Sequence, residues 1–335
     1  MLGIQNMNFE FWMALFSISA FANILGLILS ASFNSIVTIY ILIPLVMIPQ
    51  MVLGGAMFTF DKLNKDFTSV DKVPAIAEFM PSRYIYEGLI VHQYKHNNYK
   101  KNFFAIEQQE SMADFKQVHY LPELRELLNK CVVHVLDDGD RGEKDFVKDL
   151  ELLQNELSKE VPRVPTSAFE QLEAVNPEAF YSKTGDRIEA YLNQLSNHYR
   201  DLFNTANAQK DQFITHNLNT DPERFNRIKD DHYNESVSSI VRREFEKNKM
   251  LRQGNALVQM ADPIYQLPEP ENLWSFRTHF FAPAKHFGGR YFETLWFNIT
   301  MVWLLTIVLY GVLYFDLLKK SMNYLGGIKW RKKKL

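Results

Sequence analysis

Three long segments of the chain are almost entirely apolar, and the charged residues are concentrated between the second and the third. The segments cover residues 11–30, 36–60 and about 294–315, and none of them contains a charged side chain. Each is long enough to cross a hydrocarbon core of about 30 Å as a helix. The pattern predicts three transmembrane helices, the first two forming a hairpin over residues 1–60.

The long segment between the second and third apolar blocks is predicted to be mainly helical. Apolar side chains recur there at spacings of three and four within residues 121–132, 146–157 and 188–203. This spacing is typical of amphipathic helices, here about three to five turns long. Asp221 followed by Pro222 is typical of a further helix start, with the aspartate as N-cap. Alternating β-branched runs are few, so strands should be minor.

The orientation is predicted from the charge of the C-terminal tail. Residues 319–335 carry seven Lys or Arg and no acid, which marks the cytoplasmic side of an adjacent span. With a third helix over residues 292–318, an odd number of spans puts residues 61–291 outside. The predicted fold is an all-α membrane protein of the cytoplasmic (inner) membrane. It has three transmembrane helices, a large mainly helical extracytoplasmic domain and a basic cytoplasmic tail.

Composition and motifs exclude several functional classes. The chain has 37 Lys or Arg against 39 Asp or Glu, whereas nucleic-acid binders usually carry a basic excess. The single cysteine, Cys131, excludes an internal disulfide and a Cys-rich zinc site. His92 and His96 are four residues apart but lack the glutamate of a zinc-binding H-E-x-x-H motif, so a solvated helix end is favoured. We predict no catalytic, cofactor-binding or metal-binding residue in this chain.

Arg83 and Glu87 form the most specific charged pair in the sequence. They lie shortly after the second apolar segment, and their four-residue spacing puts them on one face of a helix. Pro81 is expected near the start of that helix. Two interpretations remain open: a short surface helix with one weak ion pair, or an ordered pair at the membrane edge.

A series of short motifs indicates a family. In chain order they are Ser32-Phe33-Asn34, Pro44, Pro49-Gln50, Gly54-Gly55, and Pro81-Ser82-Arg83-Tyr84 continuing to Leu89. Together with the apolar segments, this order resembles the C-terminal half of the permease domain of G-type ATP-binding cassette (ABC) exporters. The resemblance covers roughly residues 1–95 and 275–325. Residues 100–270 have no counterpart, because the family's external loop at this place is much shorter.

The resemblance implies the membrane-spanning (permease) part of an ATP-driven exporter of unknown substrate. ATP would be bound and hydrolysed by a partner nucleotide-binding domain, and the remaining permease helices would come from elsewhere in a dimeric transporter. In the family the fifth span, here the second, lines the substrate path, and two residues after the glycines form a gate. The implied path residues are Tyr40, Met47, Gln50 and Met51, and the implied gate residues are Ala56 and Met57.

Two alternatives bear on these assignments. Ordinary helix packing would also explain the methionines and the tyrosine, whereas Gln50 is expected to face protein or water because hydrocarbon cannot satisfy its amide. For the whole chain, the alternative is a membrane-anchored interaction protein whose external helical domain binds a cell-envelope partner. The proline, glutamine and paired glycines of the second segment favour the transporter, because an anchor needs only apolar bulk.

Overall fold

A computed structural model describes residues 7–33, 35–57, 60, 72–137, 139–164, 175–270 and 272–327. The chain divides into two compact units. The first, which we call the membrane unit, contains Met1–Lys95 and Leu267–Leu335, and the second, the helical unit, contains His96–Gln266. Asn34 of the turn motif and the basic residues from Lys329 onward lie outside the described residues.

The described residues are mainly helical, with four short strands. The helices are α1 (Asn8–Ser32), α2 (Ile36–Val52), α3 (Pro81–His96), α4 (Phe104–Phe115), α5 (Leu121–Leu136), α6 (Lys144–Glu160), α7 (Ser182–Thr220), α8 (Pro222–His232), α9 (Glu235–Arg242), α10 (Thr294–Tyr314) and α11 (Leu317–Gly327). The strands are β1 (Met250–Gln253), β2 (Ala256–Gln259), β3 (Ala284–Phe287) and β4 (Arg290–Glu293).

Helices α1 and α10 pack side by side and run in the same direction. The rings of Phe9 and Trp296 lie 6.2 Å apart near the start of both helices, and those of Phe16 and Trp303 lie 6.0 Å apart farther along. The indole N–H of Trp303 donates to Ser17 Oγ at 3.1 Å. Among the described residues, these two helices are long and apolar enough to cross a membrane.

Helix α2 is apolar but shorter than the predicted segment 36–60, because it ends at Val52. A Cβ on Gly54 would lie 2.7 Å from the Gln50 carbonyl oxygen. Gly55 has φ +77° and would place a Cβ 2.5 Å from the Phe280 ring. The left-handed backbone and the close ring both require glycine there, and the chain leaves the helix axis. In the described residues of α2 no side chain is buried.

A β-hairpin that was not predicted from the sequence precedes α10. Strands β3 and β4 are antiparallel, with Phe287 paired to Arg290 across a two-residue loop. That loop is Gly288-Gly289, with φ +59° and +76°. Two consecutive positive φ angles match the twist of a tight hairpin and strongly favour glycine.

The helical unit contains the three predicted amphipathic runs, which are confirmed as α5, α6 and α7. The predicted length of the third run is wrong, because α7 continues for 39 residues. The apolar spacing that indicated α7 stops near Phe203, whereas polar residues extend the helix. The Asp221 side chain accepts from the Arg224 N–H at 3.0 Å, which confirms the predicted N-cap of α8.

Buried carboxylates tie α6 to its neighbours in the helical unit. Glu160 accepts from Lys116 Nζ at 2.6 Å and from the Tyr199 hydroxyl. Glu156 accepts from the Tyr120 hydroxyl at 3.0 Å. Each buried acid therefore has donors from elements distant in sequence, as buried polar groups require.

Candidate functional site

A cavity of about 580 Å³ lies between α1 and α2, with the first turns of α3 at one end. This volume falls in the range of pockets that hold small molecules. Its walls are mostly apolar side chains of the two helices. The lining residues are Ile18, Phe21, Ala22, Leu25, Gly26, Leu29, Ile43, Val46, Met47, Gln50, Met51, Gly54, Ala56, Met57, Ser82 and Tyr86.

The structure brings most of the predicted path and gate residues into this one cavity. The residues found there are Met47, Gln50, Met51, Ala56 and Met57. Tyr40 is not among them and is 71% exposed. It lies on α2 one turn before Ile43, the first residue of α2 that lines the cavity. Its assignment to a path therefore has no counterpart in this cavity.

Few polar groups reach the cavity, and they lie near the end of α2. Ser82 Oγ donates to the Gln50 carbonyl oxygen at 2.9 Å, which joins the start of α3 to the last turn of α2. Tyr86 lies one turn farther along α3, and burial raises the pKa of its hydroxyl. The cavity thus combines apolar walls with an amide and two hydroxyl-bearing residues at one end.

Glu87, on the same helix as Ser82 and Tyr86, is fully buried and accepts four hydrogen bonds. One oxygen accepts from Lys285 Nζ at 2.7 Å and from the Phe281 N–H at 3.1 Å. The other accepts from Arg83 Nη1 at 3.1 Å and Asn298 Nδ2 at 3.1 Å. The carboxylate therefore joins α3 to the segment before α10 and to α10 itself.

Through Arg83, the same hydrogen-bond network extends to the residues before α3. Its Nη2 lies 2.5 Å from Glu78 Oε2, and the Tyr84 hydroxyl donates to that oxygen at 2.6 Å. Arg83 is 1% exposed. The surface alternative for the Arg83–Glu87 pair is therefore wrong, because both partners are buried and each has a further charged partner. Their position at a membrane edge stays a prediction.

The charges around Glu87 keep it ionised. Burial alone would raise the pKa of this carboxyl, but the Lys285 ammonium and the Arg83 guanidinium more than offset that effect and lower the pKa below its usual value. Burial lowers the pKa of Lys285, and Glu87 opposes that shift. A carboxylate that accepts several charge-assisted hydrogen bonds is a strong structural tie.

Gly88 explains how α10 comes close enough for Asn298 to reach this carboxylate. A Cβ at Gly88 would lie 3.1 Å from Leu295 Cδ1 and 3.2 Å from its Cα. Asn298 also donates to the Tyr84 carbonyl oxygen at 2.9 Å. Lys285 and Asn298 were not predicted from the sequence as members of this site. An asparagine inside an apolar span is itself a signal, because lipid cannot satisfy its amide.

The first 94 residues are similar to a known family. Residues 1–94 match the family model described as ABC-2 type transporter. The match contains α1, α2, nearly all of α3, and every residue that lines the cavity. No curated protein and no solved structure matches the chain.

The ABC-2 match confirms the resemblance to an ABC exporter permease over this segment. Arg83 and Glu87 lie inside the ABC-2 segment, whereas their partners Lys285 and Asn298 lie outside it. The description of the matched family is that of a membrane transporter, which suggests a permease component.

Farther along α3, the ABC-2 segment contains a histidine between two acids. His92 is buried, with its Nδ1 2.7 Å from Glu293 Oε1 and its Nε2 3.9 Å from Glu10 Oε1. The expectation of a solvated helix end is wrong for His92, whereas His96 is exposed. The ring therefore links α3 to the first turn of α1 and to the residue that precedes α10.

Proposed function

We propose that this chain forms the membrane-spanning part of an ATP-driven exporter, and that the cavity between α1 and α2 belongs to its substrate path. The observation that carries the proposal is the coincidence of two independent features. The ABC-2 match ends at residue 94, and all sixteen residues that line the cavity lie before that point. Its size and apolar walls suit a small molecule.

The parallel arrangement of α1 and α10 supports three spans. If both helices cross the bilayer in the same direction, the chain has to cross it an odd number of times between them. Helix α2 is an apolar helix of 17 residues, or about 25 Å, which is at the short end of the range for a span. The basic tail then puts the helical unit outside the cytoplasmic membrane and the C-terminus inside.

In this proposal a partner subunit binds ATP. ABC-2 permeases pair with a nucleotide-binding cassette protein, and we expect that subunit to hydrolyse ATP in a dimeric transporter with further permease helices. Nucleotide binding would shift the spans between two arrangements. We expect α2 to deform in that shift, because its two internal prolines interrupt the hydrogen-bonded ladder of the helix.

Gln50→Leu in the assembled transporter tests the proposal. The control is Ile41→Leu, a conservative change at an exposed position of α2 that lies outside the cavity. We expect Gln50→Leu to change ATP hydrolysis by the complex in lipid nanodiscs, with normal expression and normal association with the cassette subunit. The control should leave hydrolysis unchanged.

Other outcomes overturn parts of this account. If expression collapses, Gln50 serves packing. If hydrolysis is the same in both variants, the path assignment of α2 fails. If the chain does not associate with a cassette subunit at all, the membrane-anchored interaction protein is the better reading.

A further inference from the structure

The membrane unit exposes a group of aromatic and apolar side chains on and around the β3–β4 hairpin. We call this group the aromatic hairpin surface. Trp274 is 69% exposed and Tyr291 53%. The surface consists of Leu273, Trp274, Phe287, Tyr291, Phe292 and Trp296. Isolated exposed apolar residues are common, but several large ones exposed on a hairpin, on the loop against it and in the first turn of the next helix mark an interaction surface. Phe287 and Phe292 lie on one face of the hairpin and Tyr291 on the other.

Hydrogen bonds fix the backbone of the hairpin and of the loop against it. The Gly288 N–H donates to the Leu273 carbonyl oxygen at 2.7 Å. The Trp274 N–H donates to Asn272 Oδ1 at 3.0 Å. The rings of Trp274 and Phe287 meet edge to face at 5.4 Å. The backbone beneath the surface is therefore ordered in both the hairpin and the loop against it.

The position of the hairpin in the chain indicates what covers it. Strand β4 ends at Glu293, and α10 begins at the next residue. Trp296 lies in the first turn of α10, and its ring is 6.2 Å from that of Phe9 at the start of α1. The aromatic surface thus continues directly onto the outer faces of the two helices that are long and apolar enough to span a bilayer.

The chemistry of the surface matches the boundary between headgroups and acyl chains. Trp and Tyr are enriched at that depth because their rings are amphipathic. Polar groups lie on the same hairpin: Arg290 at its tip is exposed, and the Tyr291 hydroxyl donates to the Pro268 carbonyl oxygen at 3.1 Å. A surface inside the hydrocarbon core would not carry an exposed arginine without cost.

We propose that the aromatic hairpin surface lies in the bilayer interface and fixes the depth at which α10 enters the membrane. The partner of this surface is the lipid interface itself. The inference needs the membrane position of α1 and α10, but it does not depend on transport, on ATP or on which side of the membrane the hairpin faces.

Depth-dependent quenching tests the proposal on the full chain in lipid nanodiscs. A Cys131→Ser background removes the only native thiol, and Phe292→Cys carries an environment-sensitive fluorophore. Nitroxide lipids labelled either near the headgroup or deep in the acyl chain act as quenchers. Gln209→Cys, at an exposed position of α7 in the helical unit, is the control. Trp274→Cys provides a second site on the loop if Phe292→Cys fails to fold.

We expect the fluorophore at residue 292 or 274 to be quenched at least twofold more by the shallow nitroxide than by the deep one, and the control to be quenched by neither. Stronger quenching by the deep nitroxide would overturn the interfacial position. Emission typical of an apolar site without quenching by lipid would mean that protein covers the surface, and it would also overturn the proposal. Water-like emission equal to that of the control would do the same.

Discussion

Glu87→Gln should strongly destabilise the membrane unit. The substitution keeps the shape of the side chain but removes the charge that Lys285 and Arg83 face. The amide keeps one acceptor oxygen for Lys285 and the Phe281 N–H. Its NH₂ group would point at the donors on Arg83 and Asn298, so neither donor could be satisfied there.

The magnitude follows from the partners that remain. Hydrogen bonds to a charged group contribute about 1.5–3 kcal/mol each. The sum of four such bonds overestimates the loss in Glu87→Gln, because the donors do not lose every acceptor. Three of the donors keep another acceptor: Lys285 keeps Thr278 Oγ1 at 2.7 Å, Arg83 keeps Glu78, and Asn298 keeps the Tyr84 carbonyl oxygen. We therefore expect a loss of about 3–5 kcal/mol in the free energy of unfolding, the range for removing one partner of a buried ion pair.

Tryptophan fluorescence measures the unfolding of the membrane unit separately from that of the helical unit. All five tryptophans lie in Met1–Lys95 or Leu267–Leu335, whereas Cys131 lies in the helical unit. Denaturation in mild detergent, followed by tryptophan emission, should show the loss. A fluorogenic thiol dye at Cys131 follows the other unit as a control. Burial raises the pKa of that thiol to about 12, so the folded chain should not react.

Two variants decide whether the reasoning is correct. Asp316→Asn changes an exposed carboxyl of the same unit and should alter stability by less than about 0.5 kcal/mol. Adding Lys285→Met to Glu87→Gln removes the cation that the single change leaves buried, so part of the loss should be recovered. A tryptophan transition that Glu87→Gln does not move would refute the structural role of this carboxylate.

Three further predictions use other features of the chain. Gly55→Ala should lower the free energy of unfolding by roughly 1–2 kcal/mol because of the left-handed backbone alone, and by more because of the Phe280 ring beside it. Gly26→Ala, whose added Cβ would meet open space in α1, should not lower it. The tryptophan transition measures both variants. Because the pKa of Glu87 is lowered, its contribution to the free energy of unfolding is complete above the ordinary carboxyl pKa of 4.5 and is lost as the pH falls below that value. The stability of Glu87→Gln should therefore change less with pH in an acid titration. An impermeant thiol reagent should label Gln209→Cys in a Cys131→Ser background on intact cells, and labelling only after lysis would contradict the topology.

Local patterns predicted the helices well, because each pattern lies within the element it predicts. The spacing of three and four located α5 and α6, and Asp221-Pro222 located the start of α8. The strands β3 and β4 have only four residues each, which is too short for an alternating pattern. The paired glycines 288–289 were their strongest signal. The end of α2 was missed for another reason, because the left-handed Gly55 stops the helix inside an apolar run.

The site was predicted only as far as local spacing reaches. The Arg83–Glu87 pair follows from a separation of four residues, but its burial depends on Lys285, which is 198 residues from Glu87 in the chain. No sequence pattern links residues that far apart. Likewise, five of the six path and gate residues share a cavity between α1 and α2. The predicted hairpin makes these two helices neighbours, but it does not determine which of their side chains face each other.

Filling the cavity tests the central claim most directly. Met47 and Ile48 are neighbours on α2 with nearly equal exposure, 55% and 57%, but only Met47 lines the cavity. Met47→Trp adds bulk inside the space, whereas Ile48→Trp adds it on another face of α2. In the transporter assembled with its cassette subunit in nanodiscs, we expect ATP hydrolysis to fall severalfold in Met47→Trp and to stay near its original rate in Ile48→Trp. Equal rates in the two variants, whether both normal or both reduced, would contradict a substrate path between α1 and α2.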